Sequence, residues 1–178
     1  MLMGLLGKRY MVTKSLSETF KHPKRYNRTT HMLNHQYRTL QKTIHPDRFV
    51  NATDAEKKQS LQKSTQINDA YQVLKDPIKR ASHIISLHQV LKDNTLPPDF
   101  LMQQMEWEEE FETINDLEQV QLFSDKIDGE KKMLMDLLAM DLDEKKDWES
   151  ATNIIGKLKF ITNLFLRIQQ KKLSMDNS

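Results

Sequence analysis

The sequence predicts an all-α fold in two helical units. The chain has only four glycines and five prolines among 178 residues, against an average of about 12% for these two residue types together. Apolar residues recur at helical spacing in several segments, and no segment alternates apolar and polar residues over the length of a strand. Pro97 and Pro98 follow a polar stretch from Lys92 and exclude a continuing helix there. We therefore predict a boundary between two helical units at this break.

The composition excludes several classes of chemistry. The chain has no cysteine, which rules out disulfides, thiol catalysis, Cys-ligated zinc and iron–sulfur ligation. No apolar run approaches the roughly 18 residues that a membrane span requires. With 29% charged and 38% hydrophobic residues, we expect a soluble globular protein that does not bind membranes.

The charges are segregated along the chain, although the net charge is only +2. Residues 1–50 carry ten Lys or Arg and two Asp or Glu, whereas residues 99–150 carry five and seventeen. This asymmetry suggests an acidic partner for the first half and a basic or weakly charged partner for the second. Ordinary solvated faces are the alternative explanation.

The first unit begins with a predicted amphipathic helix that runs from a Thr29/Thr30 cap to Ile44. Its apolar stripe consists of Leu33, Tyr37, Leu40 and Ile44. A basic stripe on the opposite side consists of His31, His35, Arg38 and Lys42. Pro46 ends this helix, because the residue before a proline disfavours the α conformation.

Two further helices are predicted in the first unit. Thr53-x-x-Glu56 is a capping box that starts the second, and Asp76-Pro77 ends it. The apolar residues assigned to that helix are Leu61, Ile67, Ala70, Tyr71 and Leu74. Pro77 suits the first turn of the third, from Ile78 to about Val90, with four residues available for packing, Ala81, Ile84, Ile85 and Leu87. The first two helices would form an antiparallel hairpin.

Three helices are predicted after the prolines, and together they indicate a small bundle. Asp99 would cap the first, whose stripe is Phe100, Gln104, Trp107, Phe111 and Ile114. The second runs from about Asp116 to Asp141 and carries Leu117, Val120, Ile127, Leu134 and Leu138. Gly129 is a weak point in its middle. The third runs from about Glu144 to Lys172 and carries Trp148, Ala151, Ile155, Leu158 and Phe165.

The loop of the hairpin contains His45-Pro46-Asp47, directly after the basic-faced helix. The following helix contains Asn68-Asp69-Ala70-Tyr71-x-x-Leu74-x-Asp76-Pro77. Over about residues 16–91 the chain resembles the J-domain of DnaJ-type co-chaperones. The resemblance implies that this loop and helix engage a DnaK-type chaperone and stimulate its ATP hydrolysis. It assigns His45, Pro46 and Asp47 to the stimulating loop and Arg38, Lys42 and Arg48 to chaperone docking.

Elementary chemistry agrees with a docking role for this loop. Pro46 stiffens it and lowers the entropy cost of binding. The carboxylate of Asp47 accepts hydrogen bonds and can pair bidentately with an arginine of a partner. Arg38 and Lys42 would speed association with an acidic surface in a salt-dependent manner.

The second unit narrows the resemblance. The segments Phe100-Leu101-Met102-Gln103-Gln104-Met105-Glu106-Trp107-Glu108-Glu109 and Gly156-Lys157-Leu158-Lys159-Phe160 look like the HscB/Jac-type co-chaperones of iron–sulfur cluster assembly. The resemblance implies an L-shaped molecule that binds the scaffold protein IscU and delivers it to an HscA-like chaperone. It assigns scaffold binding to Leu101, Met102, Met105, Glu106, Glu109 and Phe160.

The periodicity offers partial support for this patch. Phe160 lies about 200° around its helix from Leu158, off the predicted core stripe. Methionine suits an adaptable binding surface, and Met102 lies off the predicted core stripe of its helix. The alternative is that these residues widen the bundle core.

The resemblance also sets the expected limits of each part. They are a tail or presequence at 1–15, the J-domain at 16–91, a linker at 92–98, the scaffold-binding domain at 99–173 and a tail at 174–178. Within the usual aromatic-rich opening only Leu16, Phe20 and Pro23 fit the family, so its first helix is expected to be short or loosely packed. Residues 1–15 could be a mitochondrial presequence, a bacterial tail or sequence upstream of a start at Met11. We favour a bacterial cytoplasm over the mitochondrial matrix.

Other functions find less support in the sequence. His31 and His35 lack a third metal ligand on their face, so we expect no metal and no cofactor. No Gly-rich phosphate loop or nucleophile elbow is present, which argues against an enzyme. The basic front half also allows nucleic-acid binding, but the second helix carries Asp54, Glu56 and Asp69 where a recognition helix would be needed. A J-domain co-chaperone with other clients is a further alternative, and a monomer is expected.

Overall fold

In the computed structural model, the residues described are Tyr26 and the ranges 30–44, 49–88 and 96–176. Within these ranges the structure is helical and contains no strand, which confirms the predicted all-α class. In the described ranges six α-helices follow one another as α1 (Thr30–Ile44), α2 (Asp54–Lys75), α3 (Pro77–Ser86), α4 (Pro98–Thr113), α5 (Leu117–Met140) and α6 (Trp148–Asp176). A π-helical turn, Asp141–Lys145, joins the last two. The chain divides into two compact units, Met1–Val90 and Leu91–Ser178.

The hairpin of α1 and α2 is built on the predicted apolar stripe. Its buried centre consists of Leu33, Ile67, Ala70 and Leu74. Partly buried side chains extend it, namely Tyr37, Leu40, Ile44, Tyr71 and Val73. Each fully buried aliphatic side chain contributes about 1.5–3 kcal/mol relative to an exposed one. Hydrophobic burial therefore holds α1 by its apolar face and leaves the opposite face in solvent.

The predicted capping box of α2 is present, and Pro77 lies in the first turn of α3 as predicted. Thr53 and Glu56 form the reciprocal capping box, in which the Glu56 carboxylate accepts from the Thr53 backbone N–H at 2.8 Å. Hydrogen bonds from Thr53 lower the pKa of Glu56. The Asp76 carboxylate accepts from the Lys79 N–H at 2.9 Å and caps α3, with Pro77 in its first turn.

Two details of the first unit differ from the prediction. Leu61 is not a core residue, since it is 70% exposed. The buried face of α2 passes through Ser60 instead, one residue earlier and thus about 100° away around the helix. Helix α3 ends at Ser86, because the chain turns at Leu87 and His88, and residues 89–95 lie outside the described part.

In the second unit, α5 and α6 pack along each other. The core side chains of α5 are Val120, Phe123, Ile127, Leu134 and Leu138. Those of α6 are Ala151, Ile154, Ile155, Leu158, Ile161, Leu164 and Ile168. The prediction omitted Phe123 and wrongly included Leu117, which is 39% exposed. Leu117 is the first residue of the helix, where the side chain extends beyond the packed turns. Trp148 and Phe165 are only partly buried.

The start of α6 was wrongly placed at Glu144. The helix begins at Trp148, because the chain first makes a π-helical turn and then reverses at Lys146, which adopts a left-handed conformation with φ of 59°. Buried Asp141 organises this turn: its carboxylate accepts from the Ser150 hydroxyl at 2.6 Å and from the Lys145 ammonium at 3.1 Å. The turn thus depends on the contact between Asp141 and Ser150, which are nine positions apart in the sequence.

The bundle helices begin and end at residues other than those predicted. Helix α4 begins at Pro98, so Pro98 belongs to the first turn and not to the expected linker. Asp99 lies within that turn and is not the N-cap, a position that Pro97 occupies. Helix α6 continues to Asp176, three residues past the expected end of the domain. Among the described helices, none is both long and apolar enough to cross a bilayer.

Candidate functional site

The exposed face of α1 carries the predicted basic residues. His35, Arg38 and Lys42 are all exposed, and they lie opposite the stripe that packs on α2. His31 belongs to α1, but its side chain is not among those described. Cationic groups at the surface of a rigid helix produce a local positive potential for an acidic partner.

The predicted tip of the hairpin follows α1 directly. His45, Pro46, Asp47 and Arg48 lie outside the described residues, between the end of α1 at Ile44 and Phe49. The structure describes the residues that flank this loop, Ile44 and Phe49. On the α1 side, the Ser60 hydroxyl of α2 donates to the Ile44 carbonyl at 3.2 Å, which ties the last turn of α1 to α2.

A polar and aromatic clamp fixes α1 against α2. The rings of Tyr37 and Tyr71 stack with centroids 3.9 Å apart and planes 15° apart. The Tyr37 hydroxyl donates to the Asn68 amide oxygen at 2.8 Å, and the Tyr71 hydroxyl donates to the Asn34 amide oxygen at 2.7 Å. The sequence pointed to Asn68 and Tyr71 only as a family motif. Their partners on α1 lie more than 30 residues away, so helical spacing alone could not reveal the clamp.

In the second unit, α4 exposes an apolar group beside carboxylates. Leu101, Met102 and Met105 are 49%, 67% and 68% exposed, and Glu106 and Glu109 are exposed next to them. At about 100° per residue these five positions span roughly 140° of the helix. The opposite face is buried through Phe100, Trp107 and Phe111. Met102 and Met105 therefore do not widen the bundle core, so the alternative explanation is wrong for these two residues.

Phe160 on α6 packs against α4, a contact that periodicity did not anticipate. Its side chain is partly buried. Its ring lies 6.3 Å from the ring of Trp107, nearly parallel at 13°, and meets the ring of Phe100 edge-on at 5.9 Å. Phe160 thus completes an aromatic cluster between α4 and α6, while the rest of its ring is accessible.

Charged side chains also fasten α4 to α6. Arg167 pairs with Glu108 at 2.6 Å, and this hydrogen bond raises the pKa of the guanidinium. The Lys171 ammonium donates to the Phe111 carbonyl at 2.8 Å, and it lies 4.8 Å from the centre of the Phe111 ring. These contacts hold the helix that presents Leu101, Met102 and Met105. They join residues about sixty positions apart, so the sequence carried no signal for them.

No metal-binding cluster of three or more His, Asp or Glu side chains occurs in the ranges that the structure describes. The described residues present two exposed surfaces of different character. One is basic and precedes the tip of a helical hairpin, and the other is apolar with an acidic edge.

Both units match known protein families. Residues 25–83 match the DnaJ domain, which defines the chain as a J-domain protein. Residues 96–169 match the HSCB C-terminal oligomerisation domain. With both domains in one chain, this protein belongs to the HscB family of J-domain co-chaperones.

Relatives and solved structures agree with this assignment. The chain is 38% identical over 159 residues to the co-chaperone protein HscB homolog of Shewanella baltica, covering 83% of this chain and 90% of that protein. Chaperone HscB from Vibrio cholerae has a similar fold, with a TM-score of 0.79, 33% identity and coverage of 89% and 98%. Human co-chaperone protein HscB has a TM-score of 0.81 at 26% identity, with coverage of 89% and 82%.

Proposed function

We propose that this protein stimulates ATP hydrolysis by an HscA-like, DnaK-type chaperone and delivers the iron–sulfur scaffold IscU to it. His45, Pro46 and Asp47 would form the stimulating tip, and Arg38, Lys42 and Arg48 the docking contacts. Leu101, Met102, Met105 and Phe160 would bind the scaffold, with Glu106 and Glu109 beside them. The protein itself would make and break no bonds.

One observation supports the chaperone interaction most directly. Helix α1 exposes His35, Arg38 and Lys42 on one face, and it ends at Ile44, the residue before His45. Because the apolar face of the same helix is packed on α2 through Tyr37 and Tyr71, a tip at residues 45–47 would be attached to a rigid support. Pre-ordered contacts lose less entropy on binding, so a short tip can contribute useful affinity.

The scaffold interaction has a separate basis. Leu101, Met102 and Met105 expose apolar side chains that the fold does not use. Burying such a group against a partner is favourable at about 25 cal/mol per Å² of apolar area, and well-packed apolar anchors dominate many interfaces. Glu106 and Glu109 at the edge would select a partner with basic groups nearby.

The compartment proposed is a bacterial cytoplasm. It follows from the bacterial co-chaperones of Shewanella and Vibrio to which the chain is similar. No feature of the described residues favours nucleic-acid binding over this function.

The test is the steady-state ATPase rate of the cognate DnaK-type chaperone, measured with and without the full chain. We expect stimulation that His45→Gln or Asp47→Asn abolishes, while circular dichroism stays unchanged. His88→Gln replaces an exposed histidine at the end of α3 and should retain full stimulation. Equal stimulation by the wild type and both tip variants would refute the assigned role.

The docking face can be tested separately. Arg38→Ala with Lys42→Ala should raise the concentration needed for half-maximal stimulation, and the difference should shrink as salt is added, because charge pairs at a surface are screened. Lys57→Ala with Lys58→Ala removes the same charge from exposed positions of α2 and serves as the matched control. A salt-independent loss, or an equal loss in the control, would contradict the docking assignment.

A further inference from the structure

Methionine supplies all the sulfur in this chain. The sequence has ten methionines and no cysteine. Where a protein has reactive thiols, peroxides attack them, but here no thiol is present to intercept an oxidant. Two-electron oxidation of sulfur can therefore take place only at thioethers, which it converts to methionine sulfoxide. The position of each methionine in the fold decides what an oxidant would change.

The two methionines of the proposed scaffold-binding patch are the most accessible ones in the part of the chain that the structure describes. Met105 is 68% exposed and Met102 is 67% exposed. Because a peroxide has to reach the sulfur atom, these two side chains should react ahead of the others. The other described methionines are less exposed or partly buried, namely Met133 at 51%, Met32 at 44%, Met140 at 40%, Met135 and Met175.

The fold does not depend on either of these two side chains. They lie on the solvent side of α4, whose buried residues are Phe100, Trp107 and Phe111. At about 100° and 1.5 Å per residue, Met102 and Met105 are about 60° apart around the helix and about 4.5 Å apart along it. They form a pair of neighbouring thioethers. Oxidation of this pair would change the surface of α4 and leave the bundle core intact.

We propose that Met102 and Met105 form an oxidation site through which hydrogen peroxide switches off scaffold binding, an inference that rests on the proposed function. A lone pair of the thioether sulfur attacks one peroxide oxygen, so that the S–O bond forms as the O–O bond breaks. The proton on the transferred oxygen passes to the departing hydroxide, which leaves as water. The sulfur is oxidised by two electrons, and the peroxide is reduced.

A sulfoxide is a poor substitute for a thioether in an apolar interface. Its oxygen is a hydrogen-bond acceptor, and burying it without a donor is costly. Helix α4 contains no Lys or Arg that could supply a cationic donor, and the neighbouring Glu106 and Glu109 are acceptors when ionised. We therefore expect oxidation to weaken scaffold binding by at least about tenfold. Sulfoxide reductases reverse the reaction, one enzyme for each epimer, so the site would act as a switch.

The test begins with peroxide treatment of the full chain by itself. The peroxide is removed with catalase before the IscU-type scaffold is added, so that only this chain is oxidised. Mass spectrometry of peptides should show that Met102 and Met105 gain oxygen before the other methionines. Calorimetric titration should show the tenfold loss of affinity and its recovery after treatment with both sulfoxide reductases. Thermal unfolding should be unchanged.

A matched pair of double variants assigns the effect to these residues. Met102→Leu with Met105→Leu keeps the patch apolar at similar volume, so it should bind the scaffold like the wild type both before and after peroxide treatment. Met133→Leu with Met140→Leu removes two exposed thioethers of α5 instead. This control should lose affinity on oxidation as the wild type does.

The possible results separate this inference from the proposed function. Oxygen gained first at other methionines would overturn the inference, and so would an equal loss of affinity in the variant with leucines at positions 102 and 105. If the untreated chain bound the scaffold and the oxidised chain bound it equally well, the inference alone would be wrong. If the untreated chain did not bind the scaffold, the proposed function would fail and the inference would fail with it.

Discussion

The ring of Trp107 on α4 lies nearly parallel to the ring of Phe160 on α6, 6.3 Å away. Trp107 is almost completely buried, whereas Phe160 is only partly buried. Phe160, a residue of the proposed scaffold-binding patch, therefore packs directly on the core residue Trp107. Stability and the proposed scaffold binding would therefore be coupled at this contact.

The first prediction concerns Trp107 itself. Trp107→Ala should lower the free energy of unfolding by about 3–5 kcal/mol, because it removes a large buried ring and leaves a cavity. The measurement is urea unfolding followed by circular dichroism. Trp148→Phe, at a partly buried site, should cost much less. Similar losses for the two variants would show that the aromatic cluster is not a centre of stability.

The second prediction concerns the scaffold-binding patch. Met102→Ala should weaken binding of the IscU-type scaffold by more than about 1 kcal/mol without changing the unfolding free energy, because Met102 is exposed in the free protein and buried only in the complex. Adding Phe160→Ala should weaken binding further, but it should also destabilise the bundle through the lost contacts with Phe100 and Trp107.

Isothermal titration calorimetry would measure both effects of the patch substitutions. Leu173→Ala, an exposed leucine near the end of α6, is the control and should bind as the wild type does. Wild-type affinity in Met102→Ala would remove this residue from the interface.

The third prediction concerns the clamp between α1 and α2. Tyr71→Phe keeps the stacked ring but removes the hydroxyl that donates to Asn34 at 2.7 Å. The expected loss is about 1 kcal/mol in the unfolding free energy, the typical net value of a hydrogen bond. Gln72→Ala at the neighbouring exposed position should be nearly neutral. If Tyr71→Phe were equally neutral in denaturant unfolding, water would replace the bond at no cost.

The fourth prediction concerns the dependence of stability on pH. His83 is buried on α3, and desolvation lowers its pKa below the ordinary 6.5. The folded state therefore binds fewer protons than the unfolded state once the pH falls below about 6.5. The contribution of His83 to the unfolding free energy should be fully present above that pH and should be lost as the pH falls towards the lowered folded pKa.

Chemical unfolding between pH 7.5 and pH 5 would measure this dependence. His83→Gln should reduce the slope, since glutamine does not titrate. An identical slope in wild type and His83→Gln would show that His83 is not the group responsible.

Local rules were sufficient for a large part of the fold. The capping box at Thr53 and the start of a helix at about Asp116 depend on residues close together in the chain, so the printed sequence predicts them. The apolar stripe from Leu33 to Ile44 also follows from helical spacing and is confirmed by its packing. The predicted tip at His45, Pro46 and Asp47 lies outside the described residues and stays a prediction.

Periodicity was less reliable where it had to choose among several apolar residues on one helix. Leu61 and Leu117 both fitted a stripe closely enough to be assigned to a core, yet both are solvent-exposed. A helix has no fixed inner side until another helix packs against it. The position of the partner, and not the spacing, decides which of two neighbouring stripes is buried.

The sequence by itself determined the helical class, the places where most helices begin and end, and the alternation of basic and acidic segments, because these depend on residues that are neighbours along the chain. Only the tertiary structure decided that Phe160 joins Trp107 and Phe100, that Asp141 shapes the turn before α6, and that α4 keeps Met102 and Met105 in solvent. These features depend on distances between residues that are remote in sequence, and such distances are set when the helices pack together and the burial of one face leaves another exposed.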